Sequence, residues 1–249
     1  MRAILTYHSV DSSGSAVAVS PSHLERQLDS LLAADVAFLP LGQILSTPNN
    51  ESVVSVTFDD GYRNFLSSAA PLLRERQISA TIFVVPEYVG AYNDWEANDS
   101  RAAVPRLPLM SWDDLAEIAS LGFDIGAHGL RHRSLVKLDD ARLRDEIERC
   151  REVIHSRIGR SPRAFAFPYG DHDSRTVAAV RKSFPIACTT RFATLDEDAT
   201  SDALPRLDMF YFGEGRLLRH WGTAPLGAYI GLRRAGRNLR RRMSRAEAN

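Results

Sequence analysis

Val53-Val-Ser-Val-Thr-Phe-Asp-Asp-Gly61 decides the fold. The run from Val53 to Phe58 is β-branched and aromatic with no charge, the pattern of a strand buried on both faces in a parallel sheet. Two carboxylates and a glycine follow at once. In barrels and open α/β sheets the chemistry lies beyond the carboxyl ends of the strands. Adjacent strand side chains point to opposite faces, so Asp59 and Asp60 converge only if the chain turns, and Gly61 supplies that freedom. Two adjacent carboxylates need a cation or a shared proton to coexist. Alone, the triplet also reads as a helix start before Tyr62, with the acids favoured by the helix dipole.

Outward from this run, short apolar stretches alternate with amphipathic helices. The expected strands are Ala3–Thr6, Val36–Leu39, Val53–Phe58, Thr81–Val85, Phe123–Ala127, Ala164–Phe167, Ile186–Thr189 and Pro205–Asp208. Leu24, Leu28, Leu31 and Leu32 form a helical stripe behind Ser20 and Pro21. Ser111 and Asp114 are spaced as a capping box before a helix that Gly122 ends. Leu143, Ile147, Cys150, Ile154 and Ile158 mark a long helix from about Asp139, and another is expected over Ser174–Ser183. This alternation implies an α/β parallel sheet, either a barrel or an open doubly wound sheet. Pro86–Pro108 lacks periodicity and is long for a strand–helix connection, so it is expected to shape a groove.

Other expected strands also end on reactive groups. His8 follows the first strand, His128 follows Phe123–Ala127, and Pro168 and Tyr169 follow Ala164–Phe167. His128 and His132 are spaced i, i+4, which places both rings on one face of a helical turn; a chance pair is the alternative. Two imidazoles and a carboxylate suit a catalytic divalent metal with positions left for water. Zinc is the first choice, and iron, cobalt or nickel suit the same donors. A Pro-Tyr-Gly turn after Phe167 could wall a sugar pocket and aim the Tyr169 backbone N–H at an oxyanion, or serve only to end the strand.

Thr57-Phe58-Asp59-Asp60-Gly61, then His128-x-x-x-His132, then Phe167-Pro168-Tyr169-Gly170, in this order, resemble the polysaccharide deacetylases, carbohydrate esterase family four. Leu5-Thr6-Tyr7-His8 resembles the start of bacterial exopolysaccharide deacetylases of that family. The resemblance spans roughly residues 3–210 and implies a single-domain, distorted (β/α)7 barrel that hydrolyses N-acetyl groups on hexosamines. It implies Asp59 as general base, Asp60, His128 and His132 as metal ligands, and the Tyr169 N–H as oxyanion donor. Three positions depart from the family pattern. Gly129 stands where Ser or Thr is common. Ala166 stands where an Arg positions the base, leaving Arg163 or Arg206 as substitutes. No late Leu-plus-His motif supplies the general acid, which leaves His8, at the rim, and His220 as candidates.

Composition is that of an ordinary globular protein. Net charge is zero, yet Arg233–Asn249 holds seven Arg and one Glu, leaving −6 on the rest. The expected division is a catalytic domain over 1–226 and a basic tail over 227–249, helical or frayed. Such a tail suits peripheral contact with an anionic membrane, and the acidic body argues against nucleic acid as a partner. Cys150 and Cys188 fall at core positions rather than as a disulfide or metal pair. The apparent lack of a signal and of a spanning segment leads to a cytoplasmic expectation, at the inner membrane face. The expected substrate is an N-acetylated glycan or a lipid-linked amino sugar. A deformylase of such a lipid and a glycan-binding domain impaired in turnover are the alternatives.

Overall fold

The computed structural model describes residues 1–95 and 104–246, with side chains through residue 239. Its strands are β1 (Arg2–Tyr7), β2 (Ser9–Val10), β3 (Ala18–Val19), β4 (Ala37–Phe38), β5 (Val53–Phe58), β6 (Ala80–Val84), β7 (Asp124–Ala127), β8 (Ala164–Ala166), β9 (Ile186–Cys188) and β10 (Leu207–Asp208). All eight expected strands form, each within two residues of its expected ends. The order β10-β1-β5-β6-β7-β8-β9 is entirely parallel, with β4 also on β5, and β2 pairs β3 separately. The last strand thus lies beside the first. Irregular backbone brings β9 to β10: Thr189 N donates to Leu204 O at 2.8 Å and Arg206 N to Arg191 O at 2.9 Å. The sheet is a curled, distorted barrel rather than an open doubly wound sheet.

The helices are α1 (Pro21–Leu32), α2 (Ala70–Glu75), α3 (Trp112–Ser120), α4 (Asp140–Ile158), α5 (Ser174–Arg181) and α6 (Ala224–Ala246). Their starts follow the sequence signals. Ser20 caps α1, Ser111 and Asp114 cap α3 reciprocally, and Asp139 caps α4. Gly159 ends α4 at φ 78°, a left-handed position that glycine takes without a Cβ penalty.

Strand alternation sorts the core into two layers. Ile4, Val53, Phe83, Ala164, Ala166 and Cys188 share one cluster, inside the barrel. Their strand neighbours Leu5, Val54, Ile82, Val84 and Phe165 share the other, beneath the helices. Gly126 faces the inner layer opposite Phe83; a Cβ there would lie 2.5 Å from the Phe83 ring. Cys150 and Cys188 are buried and unpaired, as expected.

The C-terminal region departs from the expected division at residue 226. α6 runs through that point unbroken, and Ile230 lies in the core. Arg233 stacks over Tyr211 and Tyr229, and Arg237 over Phe192 and Tyr211. The packed unit therefore extends at least to Arg237, and frayed structure is absent up to that point. Residues 247–249 of the expected tail lie outside the described residues. Among the described residues, no helix is long and apolar enough to cross a membrane.

Candidate active site

The alternation that fills the barrel also delivers its rim. Thr57 faces inward, so two residues on Asp59 does too; by the same step Thr6 leads to His8 and Gly126 to His128. Asp60 falls on the wrong phase. The chain corrects this by turning, with Asp60 at φ 73° and Gly61 at φ 74°. The helical segment that follows starts only at Phe65, as a π-helical stretch to Ala69, so the helix-start reading of the triplet is not realised.

The two histidines converge differently from expectation. Residues 128–132 form no helical turn but an irregular loop, with Gly129 at φ 75° and His132 at φ 56°. Left-handed backbone, not helical spacing, brings the rings together, with centroids 4.8 Å apart. Of the five non-glycine residues with positive φ among those described, three are Asp60, His132 and Tyr169. Such conformations cost about 1–3 kcal/mol each and persist where the surroundings enforce them, commonly at active sites.

Asp60, His128 and His132 are buried, and one donor atom from each lies within 4.8 Å of the other two. Asp60 Oδ1 sits 3.4 Å from Nε2 of each histidine. That atom has no hydrogen-bond partner, although it is buried. A spacing of about 3.4 Å is what tetrahedral ligands at roughly 2.0–2.1 Å from one ion would have. An orphaned carboxylate oxygen facing two imidazoles fits a divalent cation. His128 Nδ1 is 2.7 Å from the Ala166 carbonyl, which can only accept, so Nδ1 carries the proton and Nε2 is left for a ligand. Burial alone would lower the His128 pKa, but the Asp60 and Asp59 carboxylates raise it. At His132 burial prevails and the pKa is lowered. Asp60 is held well below the usual carboxylate range by the two imidazoles, against its burial.

Asp59 is buried beside this cluster. Arg206 grips it with both terminal nitrogens, each 2.6 Å from a different carboxylate oxygen. Arg206 is itself fully buried, bonded to Thr57 Oγ1 and the Thr189 carbonyl, with its guanidinium 5.6 Å above the Phe83 ring. Burial pushes the Asp59 carboxyl up, and Arg206 outweighs it and holds it below the usual range. Of the two substitutes for the missing arginine, the structure thus selects Arg206; Arg163 is exposed at the start of β8, away from the mouth.

His8 Nε2 lies 3.8 Å from Asp59 Oδ2, half-buried at the mouth. His220 is far from it. It is exposed, and its neighbour Trp221 donates to the Met1 carbonyl at the opposite end of β1. Tyr169 sits at the apex of the 168–170 turn with φ 59°, its ring 4.6 Å from that of His132. The turn is fixed from behind, because a Cβ on Gly170 would lie 2.0 Å from Thr190 Oγ1.

Three contributors were not anticipated. Glu146 on α4 is buried and holds the histidine loop, accepting from Arg131 N at 2.9 Å and from its guanidinium at 3.1 Å. Gly129 gives it room, since a Cβ there would come 3.4 Å from Glu146 Oε2. Glu146 sits on the apolar stripe of α4 between Leu143 and Ile147, the one sequence signal that could have marked it. Trp95, 4.5 Å from the His132 ring and edge-on to Tyr88, brings part of the long connection over the site. The rest of that expected groove, residues 96–103, lies outside the described residues. Asp208, at the end of β10, is pushed up by burial, with His8 and Arg237 pulling it down.

With this geometry in place, similarity to known proteins becomes decisive. The polysaccharide deacetylase family model matches residues 46–184, more than half of the chain. The chain belongs to the polysaccharide deacetylase family. Polysaccharide deacetylases of this type are amide hydrolases that remove N-acetyl groups. The chain is 24% identical over 235 residues to YxkH of Bacillus subtilis, covering 91% of this chain and 75% of that one. It is 24% identical over 178 residues to the poly-beta-1,6-N-acetyl-D-glucosamine N-deacetylase of Staphylococcus aureus, covering 66% of this chain. The chain spans only 58% of that relative's length. The solved structure of IcaB from Ammonifex degensii superposes with TM-score 0.70 at 26% identity, over 83% of this chain and 91% of that one. The family's distorted (β/α)7 barrel is the fold seen here.

Proposed function

We propose that this deacetylase is a metal-dependent N-deacetylase of amino sugars in a polysaccharide or lipid-linked glycan. The observation that carries the reading is the orphaned Asp60 Oδ1, 3.4 Å from both imidazoles, next to a carboxylate already matched to an arginine. Asp60, His128 and His132 hold the ion, and zinc is the first candidate for such a donor set. A divalent cation bound there supplies Lewis acidity, acidifying water and polarising an amide carbonyl.

The chain's own groups do the rest. Asp59, kept ionised by Arg206, takes the proton of the attacking water; each of its oxygens retains a lone pair beyond the one that Arg206 occupies. The Tyr169 backbone N–H donates to the oxygen of the tetrahedral adduct, a contact worth about 2.7–4 kcal/mol. His8, whose Nε2 lies 3.8 Å from Asp59 Oδ2, delivers a proton to the departing nitrogen, since an amide anion is too poor a leaving group. Trp95 and Tyr169 offer aromatic faces against which a sugar ring packs.

The test is metal analysis of the purified chain followed by acetate and formate assays on N-acetylated and N-formylated hexosamine oligomers and lipid-linked sugars. One ion per chain and release of acetate with a matching free amine are expected. Stoichiometric metal with formate as the sole product would replace the acetyl assignment, and turnover unaffected by His132→Ala would end the metal assignment.

A further inference from the structure

We propose that α6 is a docking helix for an anionic phospholipid surface and that it lies along that surface with the mouth of the barrel opening beside it. The helix has two distinct sides. One packs on the body through Leu226 and Ile230, followed by Arg233 and Arg237 on the aromatic rings of Tyr211 and Phe192. The other carries Leu232 and Leu239, 75% and 61% exposed, the two most exposed large hydrophobic side chains among the described residues. They are seven residues apart, two helical turns, and so share one face. The body leaves that face uncovered.

Charge names the occupant. The sequence from Arg233 onward holds seven arginines against one acid, while the remaining chain is net −6. An anionic plane attracts the helix and repels the body. Basic residues flanking exposed leucines are the composition of helices that lie in the headgroup region, with the apolar face sunk among acyl chains. A nucleic acid would use the arginines but offers no apolar layer for the leucines.

Direction gives the consequence. α6 starts beside the N-terminal end of β1, where Trp221 bonds to Met1. By Arg237 it has reached the carboxyl ends of the strands, with its guanidinium 3.7 Å from Asp208 and 3.4 Å from the Thr190 carbonyl. The helix continues to Ala246, which at 1.5 Å per residue is roughly 13 Å further toward the side of the mouth. With the Leu232 and Leu239 face flat on a bilayer, the strands run alongside the surface and the mouth that holds Asp59 and His8 opens along it.

The experiment is flotation of the full chain with phosphatidylcholine vesicles with and without phosphatidylglycerol, at low and high salt. Binding to the anionic vesicles, at least tenfold weaker on pure phosphatidylcholine and weakened by salt, is expected. Leu232→Glu with Leu239→Glu should weaken it at least tenfold, and Arg234→Ala about fivefold. Both variants should keep the parent melting temperature and its acetate release from a soluble oligomer. Absence of binding, equal binding to both vesicle types, or insensitivity to the leucine pair overturns the proposal. Duplex DNA captured as tightly as anionic vesicles, with the leucines immaterial, reassigns the helix to nucleic acid.

Discussion

Asp59 is a buried carboxylate, and its behaviour is set chiefly by one guanidinium. Removing its negative charge while keeping its shape separates its role from that of the ligands. Asp59→Asn should keep a full complement of metal and lose turnover by about 10²–10⁴-fold, checked by metal analysis beside acetate release. Arg206→Met strands the buried carboxylate and should destabilise the fold by about 3–5 kcal/mol in urea unfolding. The sign with pH follows from the lowered value of Asp59. The pair's stabilisation is fully present above the ordinary aspartate value of about 3.9 and is lost as pH falls through the depressed folded value. In Arg206→Met burial loses its main opponent, with only His128 and His8 still pulling the carboxyl down, so the acid limb of the rate profile should move to higher pH; an unmoved limb would show that Arg206 does not tune the base. At this scale the sequence was legible where chemistry follows strands, as at Asp59, His8 and His128. Arg206 was one of two substitutes, because only the neighbouring of β10 and β1 tells it from Arg163. Asp208 carries the same strand-end signal, as the last residue of the expected strand Pro205–Asp208, whereas Trp95 left none, since its place comes from contacts with distant segments.

At the scale of elements, the histidine loop depends on α4 more than on its own sequence. Glu146 bridges the Arg131 amide and guanidinium from beneath the loop. Glu146→Ala should leave all three ligands in place and still weaken metal binding about 10–100-fold, measured by competition with a chromogenic chelator. An unchanged affinity would mean that the loop holds itself. The i, i+4 spacing predicts a helical turn because residues four apart share one helical face. The chain reaches the same convergence with Gly129 and His132 in left-handed backbone, which no periodicity records. Helix starts, by contrast, are readable at Ser20 and Ser111, and approximately at Asp139, because caps are local chemistry. The expected tail is helical, one of its two expected forms, and its packing on the body is hidden in the sequence for the opposite reason. Arginines look solvated in sequence, yet Arg233 and Arg237 lie on aromatic rings that earlier segments provide.

Across the whole molecule, the candidate metal centre ties the end of β5 to the loop after β7, so a ligand there holds the sheet together. Bound metal at 100 times its dissociation constant stabilises by about 2.7 kcal/mol. For a chain of this size that corresponds to a melting temperature about 5–11 °C lower after chelation, and His132→Ala should abolish the difference. The parallel order was legible because buried strands alternated with helices. The barrel itself was carried by the family resemblance, because the strand alternation leaves an open sheet as an alternative and irregular backbone around Thr189 and Leu204 completes the closure. That closure has a temporal meaning. Asp59 and Arg206 are 147 positions apart. A ribosome releasing the first two hundred residues has exposed the acid, the imidazoles and most of the sheet, but not the cation that neutralises the acid. Until β10 emerges and slots beside β1, the mouth holds an unmatched charge. A chain that lacked Arg206 would leave Asp59 buried beside no guanidinium, so the closure of the sheet and the neutralisation of the acid at its mouth arrive together.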